Sequence, residues 1–91
     1  GGNKLMLVQE ISIVEKNEIN ELIEKKNALN NLAKVLNESN DKELYKRCKD
    51  ELAKINKLYT EWWEKVINEY QLENNKNDEL YVDAINGIIF K

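Results

Sequence analysis

The sequence predicts a mainly α fold with a minor β part (α+β): a long antiparallel two-helix hairpin carrying a small antiparallel sheet at one end. Three observations predict it. Tyr45, Cys48, Leu52, Ile55, Tyr59, Trp62 and Val66 recur at alternating steps of three and four, the stripe of an amphipathic helix. A second apolar stripe precedes that one. Near the C-terminus, Asn86-Gly87 separates two short apolar runs rich in β-branched residues. A helix of about thirty residues is about 45 Å long at 1.5 Å per residue, and its apolar edge must find a second helix.

The elements follow in chain order. Gly1 and Gly2 read as a cloning remnant. Residues 4–11 are short and apolar enough for a strand, with Leu5, Leu7 and Ile11 on one face and Met6 and Val8 on the other. Ser12-Ile13-Val14-Glu15 reads as a capping box, which starts the first helix near Ile13 and runs it over 13–38. Ile19, Leu22, Ile23, Leu29, Leu32, Ala33 and Leu36 form its stripe, and Glu21 stands four residues before Lys25, a favourable ion-pair orientation. Ser39 and Asn40 are candidate N-caps for the second helix, with Glu43 completing a second capping box after Asn40. A link this short folds the second helix, 41–72, back against the first. Glu43–Arg47, Asp50–Lys54 and Glu61–Lys65 are the pairs expected on its outer face. It outlasts the first helix, so its Trp-rich end is expected to project. Glu73 to Asp78 is a polar break, and 79–91 read as a β-hairpin with a type I′ turn at Asn86-Gly87. Two strands alone are marginal, and the N-terminal strand is expected to add a third.

Composition narrows the function. The 91 residues fit one domain that buries only about two-thirds of its unfolded surface. With 42% hydrophobic residues, 34% charged residues and no proline, the chain suits long, well-solvated helices. The net charge of −3 is spread evenly, leaving no basic stripe for duplex DNA or RNA. No apolar stretch approaches the length of a membrane span, and the N-terminus lacks a secretory pattern. Cys48 is the one cysteine, so no internal disulfide forms, and a cytoplasmic setting fits.

Reactive groups are sparse. The chain has no histidine, which removes the commonest general base and metal ligand. Cys48 lies on the apolar stripe, where a small buried hydrophobe is the bland reading. The carboxylates alternate with lysines at helix-surface spacing, as on a solvated face. Two of the three glycines are terminal, which leaves no phosphate-cradling loop, and one cysteine makes no zinc or iron–sulfur set. No catalytic residue, metal or cofactor is expected, and the protein is read as not an enzyme. The aromatic residues are the better candidates: Trp63, Tyr70 and Tyr81 for a partner, Trp62 and Tyr59 for the core.

Several of these stretches resemble a known family. Glu24-Lys25-Lys26-Asn27-Ala28-Leu29-Asn30-Asn31-Leu32-Ala33-Lys34, Glu43-Leu44-Tyr45 with Asp50, and Trp62-Trp63 with Tyr70 resemble the small accessory protein encoded beside CXXX-repeat peptides and their radical-SAM maturases. The likeness spans about Ser12 to Phe90. It departs at Ala28, where the family pattern has glycine, and at Leu72 and Leu80, where it has tryptophan. The resemblance implies a non-catalytic helper in maturing a ribosomally made peptide, and transfers no catalytic residue.

The expected function is therefore a protein–protein or protein–peptide interaction module, holding a precursor peptide or a maturase. A phage or mobile-element inhibitor of a host enzyme is the alternative, and a nucleic-acid regulator comes last on charge. Leu44, Leu58 and Ile67, apolar but off the main stripe, predict a homodimer.

Overall fold

The computed structural model describes residues 6–72 and 79–91. The glycine pair, residues 4 and 5 of the expected strand and the polar segment 73–78 lie outside the described residues. In chain order the elements are β1 (Leu7–Glu10), α1 (Ile13–Val35), α2 (Lys42–Tyr70), β2 (Tyr81–Asp83) and β3 (Ile88–Phe90). Two long helices carry a three-stranded antiparallel sheet in the order β1-β3-β2, the architecture expected from the stripes and the C-terminal runs.

α1 begins where the capping box places it. Ser12 Oγ accepts from the Glu15 amide at 3.1 Å, and Glu15 Oε1 accepts from the Ser12 amide at 2.9 Å. The helix ends at Val35, three residues short of the expected boundary. Asn37 causes this: its Oδ1 accepts from the amides of Ser39 and Asn40, offering the backbone a turn in place of another helical rung. The second capping box does not form. The N-cap of α2 is Asp41, and its side chain makes no cap bond because Oδ2 accepts from the Asn37 amide. α2 stops at Tyr70, with Gln71 left-handed at φ 52° and the Leu72 amide donating to the Ile67 carbonyl.

The stripe of α2 is the seam. Cys48, Leu52, Ile55, Trp62 and Val66 are buried, while Tyr45 and Tyr59 are half-buried at its margins. The Cys48 thiol donates to the Leu29 carbonyl across the seam. The Trp end does not project past its partner. Trp62 Nε1 donates to the Glu15 carbonyl in the first turn of α1, because the sheet folds back over this end and completes a core of Ile19, Trp62, Val66, Ala84 and Ile89.

Other expectations are corrected. Val8 and Ile11 pack on the core while Leu7 is 59% exposed, so Ile11 shares a face with Val8 and not with Leu7 as expected. A bulge between Leu7 and Gln9 adds a residue to β1 and shifts the alternation. The β2–β3 connection is a four-residue loop, not a type I′ turn. Only Gly87 has positive φ there (69°), while Asp83 Oδ1 accepts from the Ile85 and Asn86 amides and Oδ2 from the Asn86 side chain. Lys54 pairs with Glu51 rather than Asp50, and Lys65 reaches across to Glu18 rather than to Glu61. Glu21–Lys25 forms as expected, at 3.0 Å.

Candidate functional site

The three candidate partner residues separate in the fold. Trp63 is half-buried against the core, edge-on to Trp62 with ring centroids 5.1 Å apart. Tyr70 is also half-buried, and its hydroxyl donates to Glu15 Oε1 at 2.5 Å. These two seal the joint between helix and sheet. Tyr81 alone remains largely open, 49% exposed on β2.

Glu15 is the polar centre of that joint and the one buried charged residue among those described. Burial pushes its carboxyl up. Hydrogen bonds from Glu69, Tyr70 and Ser12 outweigh burial and hold it at about 2. Glu69 is pushed up in turn by its hydrogen bond to Glu15. Sequence reasoning assigned Glu15 only a helix cap. Nothing in the local spacing signals that Tyr70, in the last turn of a distant helix, would land on it.

Tyr81 leads to a second feature, the edge of the sheet. Strand order makes β1 and β2 the sheet edges. Met6 and Lys91 exchange both amide bonds, and Ile11 donates to the Gly87 carbonyl, so residues 87, 89 and 91 of the β3 segment face β1. By the alternation of an antiparallel ladder, Ile88 and Phe90 then face β2, where they pair with Asp83 and Tyr81. The Val82 N–H and C=O are left pointing outward. β1 carries the bulge and β2 does not, so β2 is the regular edge. Beside it lies a depression of about 400 Å³, lined largely by Ile23, Val82, Ala84, Ile85 and Phe90.

On the face opposite Val82, Tyr81 stacks on Phe90 at 5.6 Å, and its hydroxyl donates to Glu79 Oε2 at 2.9 Å. Glu79 raises the Tyr81 hydroxyl above its ordinary value, whereas hydrogen bonds from Asn86 lower Asp83. Among the described residues, β2 is thus an open backbone edge flanked by two carboxylates and an exposed ring.

Other concave surfaces follow the helices. Leu22, Leu58 and Trp62 floor a groove whose rim holds the Glu18–Lys65 and Glu21–Lys25 pairs. At the hairpin tip, Lys42, Lys46 and Lys49, together with Glu38, surround Tyr45, with Lys49 over the Tyr45 ring. Among the described residues, no group of three or more His, Cys, Asp or Glu is placed to hold a metal ion, and no helix is long and apolar enough to cross a membrane. No family model, curated protein or solved structure matches this chain.

Proposed function

We propose that the protein is a non-catalytic interaction module that binds an extended segment of a partner along β2. The observation that carries this reading is the outward-facing Val82 N–H and C=O on an unbulged edge beside an apolar depression. Peptides add to sheets in this way: the main chain supplies affinity, and side-chain pockets supply choice. The resemblance in α1 and α2 suggests the partner, the precursor peptide of a CXXX-repeat modification system or its maturase, in the cytoplasm.

Homodimerisation belongs to the same proposal. Leu44 and Leu58 are each 47% exposed on α2, lying off the buried stripe as a pairing face requires.

Val82→Pro tests the edge. Proline removes the outward N–H and replaces the Val82 side chain, but leaves the β3 ladder intact, a substitution that edge strands tolerate. Titration of the precursor peptide into wild type should give saturable binding, and V82P should weaken it at least tenfold with an unchanged helical circular-dichroism spectrum. Equal binding by wild type and V82P defeats the proposal.

A further inference from the structure

We infer that the segment received by β2 is basic: an extended peptide whose lysines or arginines, four residues apart, meet Glu79 and Asp83 and flank an apolar or aromatic residue over Tyr81. The inference rests on the β2 edge proposed above and names the partner's chemistry.

Tyr81 and Asp83, two apart on β2, share a face, and Glu79 lies just before the strand. The Tyr81–Glu79 hydrogen bond keeps those two side chains together. Asp83 is fixed in place by the Ile85 and Asn86 amides and the Asn86 amide side chain, so its position is set before any partner arrives. One face of the edge therefore reads acid, aromatic, acid. Lys16 lies near the turn, its side chain against Gly87, and offsets part of the charge of Asp83. Glu79 has no such neighbour among the ion pairs of the described residues.

An added strand lies about 4.8 Å from β2, and directly opposed side chains sit close enough to pair. Opposite charges across such a pair attract, and like charges repel. A strand carrying acids at these positions would meet both carboxylates, whereas a strand carrying bases meets two complementary groups. On the other face, an aliphatic side chain opposite Val82 reaches the depression formed with Ile23, Ala84 and Ile85. Charge thus selects the partner on one face, and apolar burial holds it on the other.

The test is calorimetric titration of the full chain with two synthetic peptides that are identical except for Lys-x-Tyr-x-Lys or Glu-x-Tyr-x-Glu at the centre. Two exposed charge pairs predict that the lysine peptide binds about five- to tenfold tighter at low salt, with the preference shrinking as salt is raised. Glu79→Gln should weaken the lysine peptide about two- to threefold and leave the glutamate peptide unchanged or slightly tighter. If both peptides bind equally and V82P abolishes both, the edge stands and the basic partner is overturned. Tighter binding of the glutamate peptide overturns it as well. If neither peptide binds, or V82P binds both as wild type does, the edge itself is refuted and the inference falls with it.

Discussion

Glu15 shows how one residue can join two helices. Its carboxylate caps α1 through Ser12 and accepts from Tyr70 at the end of α2, while its carbonyl receives Trp62 Nε1. Its pKa near 2, below the ordinary 4.5, means that the folded state favours the charged form. The stabilisation is complete above about pH 4.5 and is lost as the pH falls toward 2. Glu69, raised by its bond to Glu15, has the opposite sign: its contribution is present below its ordinary value and is lost as the pH rises through its raised one. Acid unfolding followed by Trp fluorescence should therefore steepen below pH 4.5. Glu15→Gln should destabilise the protein by about 1–3 kcal/mol at pH 7 and flatten that acid limb. An unchanged limb in Glu15→Gln would remove Glu15 from this role.

At the scale of elements, local chemistry sets where each helix stops. α2 closes with Gln71 in the left-handed region, where a side chain is disfavoured by about 1 kcal/mol. Glycine carries no such penalty there, and its own backbone freedom takes back part of the gain. Gln71→Gly should raise unfolding stability by about 0.5 kcal/mol, seen as a small upward shift of the urea midpoint. A loss of stability would mean that the Gln71 side chain makes a contact that matters. The α1–α2 link obeys the same logic, with Asn37 and Asp41 turning the chain by side-chain acceptance rather than by capping α2. Here the sequence was legible only in part. Ser12-x-x-Glu15 could be read because both partners of a capping box lie within one turn. Asn40-x-x-Glu43 misled because Asn37, outside the motif, takes the Asn40 amide that the Glu43 side chain would have capped.

Across the whole molecule the packing is uneven. The sheet end holds the core of Ile19, Trp62, Val66, Ala84 and Ile89, whereas Val35 and Leu44 near the hairpin tip are exposed. In a body of 46 × 34 × 24 Å, that leaves the exposed apolar residues of α2 on a long helical flank. Multi-angle light scattering at micromolar concentration should give the mass of two chains, and Leu58→Glu should reduce it to one. A one-chain mass for wild type would refute the dimer.

Both helices, their antiparallel return and the membership of the α2 stripe were written in the sequence, because a period near 3.6 and a short link involve only near neighbours along the chain. The identity of most of the buried residues followed from the same period. The face of β1, the β2–β3 loop, the Tyr70–Glu15–Trp62 joint and the choice of β2 as the regular edge were not. Each depends on which distant strand or helix lies alongside: a bulge reverses one strand's alternation, β3 takes the centre of the sheet, and a tyrosine fifty-five residues away meets a glutamate. Contacts of that range are decided by how two helices and a sheet close on one small core, and no local pattern carries them.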